Sequence, residues 1–312
     1  MRHATSTTDS SRIHRERAAS TTRTFSHVSG VREPVIQSLR KVRTSGGRRK
    51  TGLYLAEGPD LCARAVRYGG YVEALICVEG FAQRPEGLEL ACLMPEHVEL
   101  YTCSEGLLNK CLEAKPTPAC VALVRRIERP WTPESHQGSA PLWLGVDHGE
   151  NADNLGMLLR SAEAAGVTEV LLSGGTVDPW GRRVVRAARG AMFGLPLALH
   201  DSTLEAVERA QQAQIQVVAT SAKTTLGYHE VDYTRPTLIL VGNEHHGITP
   251  DVVERADVCV KIPMLGHIHS LNIAVAASLM LFEAQRQRGW VPAGSSGPHL
   301  EGSSNSEASH VE

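Results

Sequence analysis

LWLGVDHGENADNLGMLLRSAEAAG, residues 142–166, is the stretch on which the fold turns. Six strand-like residues end at Asp147 and a polar loop follows. From Leu155 the apolar positions 155, 158, 159 and 162 then recur at helical spacing. The same alternation continues outward. Apolar runs stand at EVLLS (169–173), LPLAL (195–199), IQVVAT (215–220), TLILVG (237–242) and VCVKIP (258–263). Helical patterns stand at LGMLLRSAEAAG (155–166) and TLEAVERAQQA (203–213), with a final helix over 270–287. Continuous apolar strands alternating with helices predict an α/β fold, a parallel sheet with helices on both faces, over 142–290. Ligands of such sheets bind at the carboxyl ends of strands, so the loops there are the candidate site.

Upstream, 31–128 reads as helix, strand, helix, strand, through GLYLAEG (52–58), DLCARAVRYG (60–69), VEALICVE (72–79) and VALVRRI (121–127). That predicts a small α/β domain. A Pro/Ser/Gly-rich linker over 129–141 joins the two blocks. Residues 1–30 and 291–312 are polar, Ser-rich and without hydrophobic periodicity, and read as disordered tails. The first tail, rich in Ser, Thr and Arg and poor in acids, also shares the composition of an organelle transit peptide.

At 312 residues, with 42% hydrophobic and 21% charged residues, the chain can build ordinary cores. No apolar run nears the length of a membrane span. The seven scattered cysteines contain no CxxC pair, which argues against a zinc knuckle or disulfide framework and for a reducing, cytoplasmic setting. A net charge of −2 does not by itself announce a nucleic-acid binder.

Three loops carry the candidate chemistry. In 147–162, Asn154 sits where an N-cap belongs, Gly156 permits close approach, and Arg160 offers a planar fork for phosphate. The bland alternative is an ordinary cap with a solvated arginine. In GNEHHGIT (242–249), glycines flank Glu244; the Lys-Ser/Thr of a phosphate loop is missing, and no GxGxxG follows a strand. A plain surface turn is the alternative. In 262–283, Pro263 stops pairing, Gly266 permits a bend, and Ser270 is expected to cap a helix of small residues.

Together these loops resemble the SpoU (TrmH-like) RNA 2′-O-ribose methyltransferases of the SPOUT superfamily. The first motif stands as Asn154-Leu155-Gly156 with Arg160-Ser161-Ala162, and the second as Gly242-Asn243-Glu244-His245-His246-Gly247. The third runs from Ile262 to Gly266 and on to Ser270-Leu271-Asn272. The resemblance implies a trefoil-knotted catalytic domain that binds S-adenosylmethionine, with Gly242, Ile262, Met264, Leu271 and Thr220 holding the cofactor. It implies Arg160 as the catalytic residue, with Asn154, Glu244, Ser270 and Asn272 shaping the pocket; His148, outside the motif, is a rival base. His267 and His269 depart from the family pattern. With His245 and His246 they suggest a metal only weakly, because their spacing fits no zinc site.

The segment 34–58 looks like the small substrate-binding domain of rRNA-directed members. Seven basic residues between Arg32 and Lys50 stand against one acid, and Arg43, Arg48, Arg49 and Lys50 are the expected RNA contacts. A solvated charged helix is the alternative. Arg182, Arg186 and Arg189 are expected on one helical face, as a second RNA surface. The expected partners are RNA and a second copy of the chain. Ribosomal RNA is the first reading, tRNA the second, and a catalytically silent RNA binder on the same fold the third.

Overall fold

The computed structural model describes residues 23–133, 140–173, 175–243, 246–268 and 270–290. Most of both expected tails and residues 134–139 of the linker lie outside the described residues. The N-terminal half comprises β1 (Ser26–His27), α1 (Pro34–Lys41), α2 (Ser45–Thr51), β2 (Leu53–Glu57), α3 (Pro59–Arg67), β3 (Val72–Val78), α4 (Glu79–Ala82), α5 (Pro85–Leu93), β4 (Glu99–Cys103), α6 (Glu105–Leu112) and β5 (Cys120–Arg125). Its sheet has the order β1-β4-β3-β5-β2, with β5 antiparallel to both neighbours and the other pairs parallel. Successive side chains of a strand point to opposite faces. Leu53, Leu55, Ala74 and Ile76 therefore pack under α1 and α6, while Tyr54, Ala56, Leu75 and Cys77 pack against α3 and α5. The short strands β1 and β4 escaped the sequence reading because neither carries a long apolar run.

The C-terminal half comprises β6 (Leu142–Asp147), α7 (Ala152–Ala164), β7 (Glu169–Ser173), α8 (Arg182–Ala188), β8 (Leu197–His200), α9 (Thr203–Gln212), β9 (Gln216–Thr220), β10 (Thr237–Val241), α10 (Pro250–Arg255), β11 (Val258–Val260) and α11 (Ile273–Gln287). Its six strands run parallel in the order β11-β9-β10-β6-β7-β8. Leu142, Leu144 and Val146 face the layer of α7, α8 and α11; Trp143, Leu171, Val217 and Leu240 face that of α9 and α10. Helices thus cover both faces, as the continuous apolar runs predict.

Two local expectations need correction. Trp131, near the start of the 129–141 linker, is fully buried edge-on to Trp143, and its carbonyl accepts from Arg209 Nη2 at 2.7 Å. The linker therefore begins as part of the C-terminal core. The helix expected over 270–287 starts at Ile273, because Asn272 supplies the cap.

The two halves share one apolar cluster, in which the Tyr54 and Phe193 rings stack with centroids 6.3 Å apart. Ion pairs ring this junction. Glu57 pairs with Arg182, Asp178 accepts from Arg48 Nε and Nη2 at 2.9 and 2.7 Å, and the Arg126 guanidinium lies 3.9 Å over the Trp180 ring.

Candidate active site at the strand carboxyl ends

From β6 the chain builds outward to β7 and β8, then crosses back to build β9, β10 and β11 on the other side. The direction reverses between β6 and β10, so the loops after those two strands lie side by side. Asp147 joins them. Fully buried at the end of β6, it accepts from the Thr203 hydroxyl, from Thr249 N (2.9 Å) and Oγ1 (2.7 Å), and faces His148 Nδ1 at 2.9 Å. Burial opposes its ionisation, but the bonds from Thr203 and Thr249 prevail and hold its pKa below the usual aspartate range. The sequence reading passed over this residue, although a lone charge closing an apolar strand was the available signal. His148 itself sits at φ 56° with its side chain about half exposed.

The loop after β10 closes on itself. Asn243 and Gly247 exchange backbone hydrogen bonds, and Asn243 Nδ2 donates to the His148 carbonyl at 2.9 Å. A Cβ on Gly242 would collide with the backbone of Gly247 and Ile248. The close approach expected at Gly242 is thus made by its own loop. Glu244 and His245 lie outside the described residues, as does His269. Among the described residues no His, Cys, Asp and Glu cluster is placed to hold a metal.

On α7 the cap is Asn151, not Asn154: its Oδ1 accepts from the amides of Asp153 (2.9 Å) and Asn154 (3.1 Å). Asn154 is left to accept from Asn272 Nδ2 at 2.8 Å, which joins the first loop to the third. Asn272 also caps α11 through Ala274 N at 2.9 Å; Ser270, the expected cap, is exposed. One side chain therefore serves both elements. A Cβ on Gly156 would strike Ala187 Cβ and come within 2.9 Å of Ala188 N and Val184 O, so this glycine lets α8 cross closely.

Residues 262–271 lead from β11 to this bridge. Among the described residues this segment makes no backbone–backbone hydrogen bond. The Thr220 hydroxyl, half-buried at the end of β9, donates to the Leu240 carbonyl at 3.3 Å. Leu265 is fully exposed and Ile268 largely so.

Comparison with known proteins bears on the same residues. The SpoU rRNA methylase family model matches 141–282, and the MRM3-like substrate binding domain matches 33–122. A Synechocystis protein described as an uncharacterized tRNA/rRNA methyltransferase is 30% identical over 263 residues, 84% of this chain and 94% of that protein. The chain belongs to the SpoU rRNA methylase family. It is also 27% identical to the Bacillus subtilis 23S rRNA (guanosine(2553)-2′-O)-methyltransferase RlmP, over 82% of this chain and 97% of that protein. The AdoMet-bound rRNA methyltransferase of Sinorhizobium meliloti superposes with a TM-score of 0.74 at 26% identity, covering 84% of this chain and 98% of that one. The AdoMet complex of the SpoU methyltransferase AviRb from Streptomyces viridochromogenes gives 0.73 at 28%, covering 82% and 98%.

In this SpoU-family chain the arginines divide in a way the sequence did not show. Arg48 is buried, spends its donors on Asp178 and on the Val42 and Arg43 carbonyls, and so is unavailable to RNA. Arg182 is likewise held by Glu57 and the Leu112 carbonyl. Arg186 is exposed but lies 3.5 Å from Glu57, and Arg43 pairs with Glu113. Arg49 and Lys50 are exposed with no ion pair among the described residues. Arg189 does not share a helical face with Arg182 and Arg186, because α8 ends at Ala188 and Arg189 turns into the left-handed region at φ 49°. Arg160 stands six residues beyond Asn154, about 9 Å along α7 and turned well away from it. It faces a cleft between the two halves rather than the Asn154–Asn272 bridge.

Proposed function

We propose that this protein methylates a ribose 2′-hydroxyl in ribosomal RNA, using S-adenosylmethionine. The observation that carries the reading is the Asn272–Asn154 hydrogen bond, which ties the loop after β11 to α7 where the sheet reverses direction. When bound, the cofactor supplies a methyl group already activated on a sulfonium. Thr220 and the backbone of Gly242, Ile262, Met264 and Leu271 hold it. Asn154, Glu244, Ser270 and Asn272 shape the pocket around it. Arg160 binds an RNA phosphate through its fork and, as a fixed cation, makes the neighbouring 2′-hydroxyl easier to deprotonate; a guanidinium is not itself a base at neutral pH.

Ribosomal RNA is preferred to tRNA because likeness to the rRNA enzyme RlmP runs through both halves of the chain. The match to the Escherichia coli tRNA (guanosine(18)-2′-O)-methyltransferase covers only 43% of this chain and 58% of that enzyme. We assign residues 31–128 to RNA capture, 142–290 to catalysis, and the chain path through the loops after β10 and β11 to the family's trefoil knot. Val275, Leu279 and Phe282 form an exposed stripe at helical spacing on α11, beside the exposed Met157 of α7. That stripe fits a second copy of the chain, with Arg160 bordering the covered face. No helix among the described residues is long and apolar enough to cross a membrane, and we place the reaction in the cytoplasm.

The deciding experiment incubates the protein with unmodified rRNA, unmodified tRNA and labelled S-adenosylmethionine, then maps the 2′-O-methyl groups. A single site in rRNA is expected. Methylation confined to tRNA moves the assignment to the second reading, and cofactor binding without transfer to either RNA leaves a silent binder.

A further inference from the structure

The junction between the two halves holds a cleft of about 490 Å³ to which, of the motif residues, only Arg160 contributes. Arg64 and Tyr68 enter it from α3 and its C-cap, Arg160 and Glu163 from α7, and Arg189 from the end of α8. The side chains of Arg160 and Arg189 make no hydrogen bond or ion pair among the described residues. Arg64 is partly compensated by Asp60, both of whose oxygens lie 3.1 Å from its Nε, and it also reaches the Arg189 carbonyl at 3.4 Å. Three guanidinium groups against Glu163 and an Asp60 already engaged leave the cleft net positive. It is a built feature: Gly190, at φ 91°, has no Cβ to meet the Arg64 stem, which would lie at 3.0–3.1 Å from one. The stem seats on that glycine, so the two halves present their arginines in one fixed arrangement.

The cleft continues past Tyr68 into a smaller pocket of about 220 Å³, which Tyr68, Gly194 and Leu195 also line and to which Arg125, Arg129 and Trp180 contribute. Tyr68 is about half exposed, an aromatic face at the point where the two hollows meet. Guanidinium groups spaced along a cleft with an aromatic platform beside them are the chemistry that holds a single strand of nucleic acid, phosphates on the cations and a base on the ring. We propose that this junction cleft binds a single-stranded RNA segment flanking the target nucleotide. Arg64 and Arg189 bind its phosphates on either side of Arg160, and Tyr68 stacks one of its bases. The inference rests on the reading of the protein as an RNA methyltransferase and adds where the strand runs.

The test uses the full chain and a fluorescein-labelled single-stranded RNA of about 12 nucleotides, within the usual size of such sites. Binding is followed as a function of salt. The double variant Arg64→Gln, Arg189→Asn should lower the slope of log K against log salt by about 1.4, roughly 0.7 for each single-strand phosphate no longer neutralised. Asparagine is chosen because it tolerates the left-handed backbone at 189. Tyr68→Leu should weaken binding by about 5-fold or more and leave the slope unchanged, since stacking carries no charge. Arg64→Lys should restore most of the slope, which a merely misfolded junction would not allow. Wild-type affinity and slope in the double variant, or equal losses on a duplex of the same sequence, would overturn the proposal. Because oligonucleotide binding needs no cofactor, it is read separately from methyl transfer. Failure of the wild-type chain to methylate unmodified rRNA would remove the functional reading and leave the cleft result to stand or fall alone.

Discussion

Asn272 Nδ2 donates to Asn154 Oδ1 at 2.8 Å, a bond between residues 118 positions apart that fixes the third loop onto the N-terminal turn of α7. Asn272→Ser keeps an N-cap but cannot span to Asn154. It should lower stability by about 0.5–1.5 kcal/mol in urea titration and weaken S-adenosylmethionine binding by calorimetry. Asn272→Ala should lose about 1 kcal/mol more, because the cap goes as well. Should the serine variant match wild type in both measurements, the bridge contributes nothing to the site.

The junction arginines separate stability from RNA affinity. Arg182→Met leaves the nearly buried Glu57 carboxylate with only the exposed Arg186, 3.5 Å away, and should cost about 3 kcal/mol, with an unchanged salt dependence of RNA binding. The pair Arg49→Gln, Lys50→Gln should do the reverse, with near-normal melting and a shallower salt slope. A shallower slope for Arg182→Met would return that residue to the RNA surface expected from sequence.

Gly156→Ala drives a methyl group into the α7–α8 crossing, against Ala187 and the backbone at Val184 and Ala188. Overpacking of this kind costs about 1–3 kcal/mol, read as a lower midpoint in thermal melting. Gly242→Ala should instead distort the loop after β10, so cofactor affinity falls further than stability does. Wild-type cofactor affinity in that variant would remove the loop from the site.

Arg160→Ala should slow single-turnover methylation by roughly 10²–10⁴-fold at saturating RNA while S-adenosylmethionine affinity stays near wild type. Arg160→Lys should rescue little, because a point charge cannot reproduce the two-pronged contact. Near-normal turnover in the alanine variant would shift attention to His148, whose ring Asp147 already orients.

Burial pushes the Glu169 carboxyl up to about 7, with the Arg129 charge opposing only weakly. A carboxyl whose folded pKa is raised binds its proton more tightly than the unfolded chain does. Stability should therefore fall as pH rises from the ordinary carboxylate range to about 7, and level off above it. Glu169→Gln should flatten that segment and gain about 1–3 kcal/mol at pH 8. Parallel curves for the two proteins, by denaturant titration across pH 5–8, would show that Glu169 ionises freely in the folded chain.

The order of strands and helices in the C-terminal half was legible because a strand buried on both faces must be apolar throughout, and the alternation with helices leaves few alternatives. The short motifs were legible for a related reason: a loop that must turn sharply at a strand end needs Gly, Asn and Pro at fixed spacing. What each charged side chain meets was not legible, since that depends on neighbours distant in the chain. Arg48 and Arg49 are adjacent and chemically identical, yet one is buried against Asp178, 130 positions away, and the other faces solvent. Asn151 took the cap expected of Asn154 because capping is decided where the helix starts, and Asn154 accepts instead from Asn272. Local periodicity was enough for the parallel α/β architecture, and short motifs carried the resemblance to the family and marked the candidate loops, since each of these is written in residues close together in the chain. Folding settled which arginines clasp the two halves and which remain open to a strand of RNA, because an ion pair forms where opposite charges are brought together out of water.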